Sequence, residues 1–380
     1  MGDFMIYLDN AATGGFKPPS VIAAANNALR NYSVNAGRGG YRRSLEASQK
    51  IYETRQKLSD FFRADGGEQV AFTANCTHSL NCILKGILSG GGHIIVSDLE
   101  HNAVMRPLYS LCKNCGVQYS TVDTNCSDEE IARRFAEKIR SDTKLILTTH
   151  ASNVTGKIMP VKHIGEVAKK HAIPFAVDAA QTAGVIEINM QKMNIDYLAV
   201  APHKGLFAPM GIGVLICRKP LEYTVIEGGT GSFSSDFSQP AEMPERVESG
   251  TVNLPAIFAI NAATDFLRAR GTDRIYRHEL ALIRRLYKGL RSLPNAELYT
   301  EMPTYMKNVP VLSFNVKNKQ CDEVAEHLAK ANIAVRAGLH CAPTAHKTLG
   351  TEEKGTVRVS TGILNNEAQI DCFLSVIKKI

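Results

Sequence analysis

Residues 197–205, Tyr197-Leu198-Ala199-Val200-Ala201-Pro202-His203-Lys204-Gly205, run from an apolar stretch straight into a histidine and a lysine. Four consecutive apolar residues bounded by a Pro- and Gly-containing turn read as a short strand covered on both faces, the habit of a parallel sheet. The same texture recurs in Val70-Ala71-Phe72-Thr73, His93-Ile94-Ile95-Val96-Ser97 and Lys144-Leu145-Ile146-Leu147-Thr148-Thr149. It recurs again in Pro174-Phe175-Ala176-Val177-Asp178 and Gly213-Val214-Leu215-Ile216-Cys217. Helical spacing fills the intervals over 21–29, 45–62, 80–88 and 161–171, the last with Val161, Ile164 and Val167 on one side. Ser127-Asp128-Glu129-Glu130 is a capping box that opens a helix over 131–139. Strands alternating with helices predict an α/β domain built on a mostly parallel sheet.

The texture changes after residue 255. Helical stretches over 257–270 and 273–293 precede the strand-like Val311-Leu312-Ser313-Phe314-Asn315-Val316. A helix over 322–331, the strand-like Thr356-Val357-Arg358-Val359-Ser360 and a closing helix over 367–380 follow. The expectation is a large domain over 1–255, its N-terminal segment packing with a smaller α+β domain over 256–380. No internal repeat or low-complexity segment stands out, and the loop over 227–236 is rich in Gly and Ser.

The chain has 380 residues, 44% hydrophobic and 21% charged, which excludes a disordered, collagenous or coiled-coil protein. No apolar run reaches the ~18 residues of a membrane span, and the first residues lack the basic and apolar regions of a signal peptide. The expected location is therefore the cytoplasm, with no membrane partner. The formal charge is +7, but the longest basic runs are pairs such as Arg42-Arg43 and Lys169-Lys170. With no basic patch, nucleic-acid binding is not expected. Nine cysteines are an odd number in a chain long enough to need no disulfide framework. In a reducing compartment most read as small apolar residues, leaving a metal ligand or a nucleophile open. Cys112-Lys113-Asn114-Cys115 has CxxC spacing but no second pair, and no metal ion is expected.

Lys204, at the carboxyl end of a buried strand, stands where α/β sheets place ligands. There it is either a surface lysine after a turn or an amine that desolvation readies for a Schiff base. Asp178 also ends a strand. It reads either as a helix N-cap or as the partner of a cationic ring nitrogen such as that of pyridoxal phosphate (PLP). Gln181, three residues on, is in reach of such a ring's hydroxyl oxygen. His101, in Glu100-His101-Asn102, is a structural histidine, a ring-stacking one or a proton carrier. Thr73-Ala74-Asn75-Cys76-Thr77-His78-Ser79 brings hydroxyls and free N–H groups to a helix start, a phosphate site without nucleotide motifs. Arg336-Ala337-Gly338-Leu339-His340-Cys341 sets a cysteine beside a histidine and near an arginine, surroundings that favour thiolate. Arg358 suits a substrate carboxylate.

Taken together and in order, these stretches resemble the PLP-dependent cysteine desulfurases and selenocysteine lyases, fold type I enzymes of the class V aminotransferase group. The resemblance starts at Tyr7-Leu8-Asp9-Asn10-Ala11-Ala12-Thr13 and continues through Glu100-His101-Asn102, Ser152-Asn153-Val154-Thr155-Gly156 and Val177-Asp178-Ala179-Ala180-Gln181. It ends in His203-Lys204, Gly250-Thr251-Val252-Asn253 and the 336–341 stretch. The form Arg-x-Gly-x-His-Cys is similar to the Suf-like subgroup. Departures are Ala201-Pro202 where many relatives carry Ser, Cys76 and His78 around Thr77, and a partial match over 37–41.

The resemblance implies a large domain with a mostly parallel, seven-stranded-type sheet and a small C-terminal domain. Lys204 is then the Schiff-base lysine and proton shuttle. Asp178 pairs the pyridinium nitrogen, Gln181 touches the ring oxygen and His101 stacks on the ring. Thr77 and His203 hold the phosphate, with Cys76 beside it, and Asn153 steadies substrate and cofactor oxygens. Thr251 reaches the partner subunit's phosphate, implying a homodimer with shared sites. Arg358, with Asn153 and Arg336 nearby, binds the substrate carboxylate. Cys341 takes sulfur from L-cysteine as a persulfide and leaves L-alanine, for a sulfur-acceptor protein and iron–sulfur cluster assembly or other sulfur metabolism. The alternatives are a selenocysteine lyase acting on L-selenocysteine, another class V enzyme such as an aminotransferase or epimerase, or a non-catalytic partner protein on this fold.

Overall fold

Continuous apolar strands need cover on both faces, and a seven-stranded sheet between helices provides it. In spatial order its strands are Val70–Thr73, Gly213–Cys217, Tyr197–Val200, Phe175–Asp178, Thr143–Thr149, His93–Ser97 and Gln118–Val122. Neighbours run parallel except at Gly213–Cys217, which is antiparallel to both strands it touches. The computed structural model describes residues 5–37, 39–232 and 234–380. Arg38 of the 37–41 stretch, Phe233 of the Gly/Ser-rich loop and the first four residues therefore lie outside the described residues.

Strands read from apolar runs alone stand where expected, because burial on both faces leaves the run uninterrupted. Gln118–Val122 escaped that reading: it is an edge strand with an exposed face and no apolar run. The helix expected over 80–88 starts earlier, as Cys76–Leu88, because the Asn75 side chain caps it by accepting the His78 N–H at 2.9 Å. Gly213 lets the neighbouring strand pass under this turn, since a Cβ there would lie 2.4 Å from the Asn75 carbonyl carbon. The capping box at Ser127 is half made. Ser127 Oγ accepts the Glu130 N–H, but the Glu130 carboxylate turns to Arg133 and Arg134.

A four-stranded antiparallel sheet, Arg336–Gly338, Thr356–Ser360, Val311–Val316 and Ala296–Leu298, forms the second centre. Helices Thr272–Arg291, Cys321–Lys330 and Glu367–Ile377 cover it around Leu286, Phe314, Leu328 and Phe373. Ile6–Tyr7 pairs in parallel with Ile333–Ala334, and Leu8 is buried in the same cluster. The helix Leu254–Arg270 instead buries Ala256, Ile257, Ile260 and Leu267 in the core of the large sheet. Ala342 and Ala345, far along the chain, lie in that core as well. Among the described residues no helix is long and apolar enough to cross a membrane.

Candidate active site

The carboxyl ends of the central strands open into a cavity of about 230 Å³, where α/β sheets place their ligands. Lys204 and Asp178 meet there because their strands are neighbours, with Asp178 in register with Ala199. Cys76, Thr77, His101, Asn153, Gln181, His203, Arg336, Cys341 and Arg358 line the same cavity. Asp178 is buried, and its Oδ1 accepts the Ala180 N–H at 2.9 Å and the Cys76 thiol at 3.7 Å. Burial lowers the Lys204 pKa, with Arg358 and Arg336 adding to the effect and Asp178 and Cys76 opposing it. Burial thus eases the loss of the lysine's proton.

His101 is the N-cap of the helix Asn102–Cys115, its Nδ1 accepting the Ala103 N–H at 3.0 Å. That bond leaves the ring proton on Nε2, and burial lowers the imidazole pKa, so a flat, neutral ring faces the cavity. His203 is also neutral. Burial, then Lys204 and Lys17, bring its pKa to about 4, and its Nδ1 lies 3.1 Å from Thr13 Oγ1. One amide hydrogen of Gln181 goes to the Ala11 carbonyl at 3.1 Å. The Cys76 and Thr77 N–H groups at the helix start have no partner among the described residues.

The opposite wall comes from the smaller sheet. Arg336 and Arg358 are cross-strand partners, and Arg358 is fully buried. Its Nη2 donates to Asp9 Oδ1 at 2.8 Å and its Nη1 to the Asn153 carbonyl at 3.1 Å, while Nε has no partner. Asp9, quoted within the N-terminal stretch but given no role there, supplies the counter-charge that makes a buried arginine tolerable. Asn153 spends an amide hydrogen on the His340 carbonyl at 2.7 Å, so part of the donor capacity expected for substrate goes to the cysteine loop.

Cys341 is exposed at the cavity mouth. The expectation that its neighbouring histidine favours thiolate needs correction. His340 turns into the protein, its Nε2 reaching the Thr356 carbonyl at 3.0 Å. Burial, then Arg358 and His346, hold its pKa down at about 2. A ring so firmly neutral lends no charge to the thiol. Thr251 is exposed and lies off the cavity, beside the bidentate Arg55–Glu248 pair at 2.8 and 2.7 Å. Glu100 was named only within its motif. It proves fully buried, with Oε1 accepting the Thr149 N–H at 2.9 Å, and burial raises its pKa to about 8. Among the described residues no cluster of three or more His, Cys, Asp or Glu is placed to hold a metal ion.

The donor set fits PLP. An Asp178 oxygen that no described residue claims suits a protonated ring nitrogen, and unpartnered N–H groups at a helix start suit a phosphate. A family model described as aminotransferase class-V matches residues 6–373, and the chain belongs to that family. Within it the similarity is to cysteine desulfurases, which are PLP-dependent. A probable cysteine desulfurase of Pyrococcus abyssi is 33% identical, covering 99% of this chain and 94% of its own. Another from Methanothermobacter thermautotrophicus is 30% identical over the same shares. The apo structure of a cysteine desulfurase from Thermococcus onnurineus NA1 superposes with a TM-score of 0.88 at 33% identity, covering 99% of this chain and 94% of that one.

Proposed function

We propose that the chain is a PLP-dependent cysteine desulfurase that converts L-cysteine to L-alanine and keeps the sulfur on Cys341 as a persulfide. The observation that carries this reading is a single cavity on which an amine, a carboxylate, a buried arginine and an exposed thiol all open: Lys204, Asp178, Arg358 and Cys341. Bound there, PLP supplies an aldehyde and an electron sink. With that group bound, Lys204 Nζ would be the residue that holds it, and as a free amine it would move the substrate α-proton at close range. Asp178 would balance the ring nitrogen, Gln181 would meet the ring oxygen and His101 would stack on the ring. Thr77, His203 and Cys76 border the phosphate position, His203 acting as a neutral donor rather than a cation.

Arg358, through its unpartnered Nε and with Arg336 and Asn153 beside it, receives the substrate carboxylate. The Cys341 thiolate then attacks the substrate sulfur. A sulfur–sulfur bond forms as the carbon–sulfur bond breaks, and the carbon keeps the electron pair and takes up protons to leave as L-alanine. The persulfide passes its outer sulfur to an acceptor, which we take to be a protein thiol serving iron–sulfur cluster assembly in the cytoplasm.

In this reading residues 1–255 form the cofactor domain and 256–380 the smaller one, which sends the helix Leu254–Arg270 and the residues Ala342 and Ala345 into the large domain's core and to which the N-terminal segment is strapped. The active species is a homodimer in which Thr251 meets the partner's phosphate. Exposed Ile22, Leu29, Leu45 and Tyr52 on the helices Pro19–Asn31 and Arg42–Phe62 offer an apolar surface for a second copy. The test is turnover of PLP-loaded protein on L-cysteine, with alanine and protein-bound persulfide both quantified. Equal amounts of both in the first turnover are expected. Alanine without persulfide, or a marked preference for L-selenocysteine with release of selenide, would overturn the desulfurase reading.

A further inference from the structure

Cys341 is set in backbone that most side chains avoid. His340 and Cys341 are consecutive and both left-handed, with φ of 49° and 57°. Such a pair of non-glycine residues persists only where its surroundings hold it. Two bonds hold it directly: Asn153 Nδ2 donates to the His340 carbonyl, and the Asn102 N–H donates to the Cys341 carbonyl, each at 2.7 Å.

A further set of bonds lies behind the loop. The short helix Pro343–Leu349 is separated from Cys341 by its N-cap Ala342 alone and belongs by sequence to the second half of the chain, yet Ala342 and Ala345 are buried in the core of the large sheet. Thr344 Oγ1 donates to the Glu100 carbonyl at 3.0 Å, and Thr348 Oγ1 donates to Asp98 Oδ2 at 3.0 Å. Asp98 is itself buried, and its other oxygen accepts Thr124 Oγ1 at 2.7 Å. Hydroxyls thus claim both carboxylate oxygens, which makes Asp98 a fixed post rather than a mobile surface charge. None of Asp98, Thr344 and Thr348 lines the cavity.

We propose that Asp98, Thr344 and Thr348 are positioning residues: by pinning the helix Pro343–Leu349 to the large sheet they hold the left-handed Cys341 thiol at the cavity mouth. The segment 98–102 then locates two groups together, His101 on its own backbone and Cys341 across these bonds. A loop freed of them relaxes toward ordinary backbone and carries the thiol away from the substrate sulfur. The inference rests on reading Cys341 as the nucleophile, so its test includes a measurement that needs no turnover.

In the PLP-loaded full chain, Thr348→Val removes the hydroxyl at constant shape, and Thr348→Ser restores it. Alkylation of Cys341 by iodoacetamide, followed peptide by peptide, is expected to change by about threefold or more in the valine variant and to return in the serine variant. The kcat for alanine formation is expected to fall about tenfold, as for a slightly misplaced reacting group, while KM for L-cysteine and the cofactor's visible absorption stay unchanged. Thr344→Val is expected to repeat the pattern in weaker form, and it decides the matter if Thr348→Val does not fold. Unchanged alkylation and kcat in the folded variant, or failure of Thr348→Ser to restore them, overturns the proposal. If alkylating Cys341 in the unsubstituted protein leaves persulfide formation intact, it is the nucleophile assignment that falls instead.

Discussion

Cys76 and Cys341 open on the same cavity and differ in almost everything that governs a thiol. Cys76 is the first residue of a regular helix, half-buried, with its thiol 3.7 Å from the Asp178 carboxylate. A helix start ordinarily favours thiolate. Here burial comes first and Asp178 second, and together they push the thiol well above its usual range. Cys341 is exposed, on left-handed backbone, with no carboxylate bonded to it among the described contacts. Within one cavity, exposure and the nearest charge set the two thiols apart.

The sharpest break would come from exchanging their roles. Cys341→Ser should lower persulfide and alanine formation by roughly a thousandfold or more, whereas Cys76→Ser should change the rate by no more than about threefold. A Cys76 variant as damaged as the Cys341 variant would collapse the distinction. Chemical labelling tests it without turnover. At pH 8 iodoacetamide should modify Cys341 about tenfold faster than Cys76, as read by peptide mass. Equal rates would mean that partial burial and Asp178 do not protect Cys76.

Burial of the Cys76 kind also acts on an acid next to the site. Glu279 lines a small cavity that Lys204 borders, and burial alone raises its pKa to about 8. The folded protein then keeps a proton that the unfolded chain releases near 4.5. Its stabilising share is complete below that value and is lost as pH rises through 8. Glu279→Gln should therefore flatten the decline of Tm between pH 5 and pH 8; an unchanged slope counts against a neutral Glu279. The smallest effect concerns the backbone. Cys341→Gly removes the left-handed penalty at that position and should raise stability by about 1 kcal/mol in urea unfolding while losing persulfide. A destabilised glycine variant would show that the loop is not strained.

Much of this was legible in the residues, and what was not shares a cause. Tyr197–Val200 and Phe175–Asp178 are apolar along their whole length, so their ends, and with them Lys204 and Asp178, fall out of a local reading. The Asp9–Arg358 pair joins positions 349 apart, and Thr348 reaches Asp98 across 250. Nothing near either partner announces the other. Arg336–Gly338 and Ala296–Leu298 are three residues each, too short to show alternation. His340 misled for the opposite reason: adjacency to Cys341 was legible, but the left-handed turn that sends its ring to Thr356 was not.

The strap formed by Ile6–Tyr7 on Ile333–Ala334 has a consequence for how the molecule is made. On a ribosome, Asp9 leaves the exit tunnel long before Arg358 is translated, by some tens of seconds at roughly 5–20 residues per second. The sheet that carries Asp178 and Lys204 can gather in that interval, since its strands lie between residues 70 and 217. The thiol and the arginine arrive last, and the first-made strand waits for them. An unfinished chain therefore holds the lysine without the opposite wall of the cavity, which is complete only when the first-made strand has met its late partner.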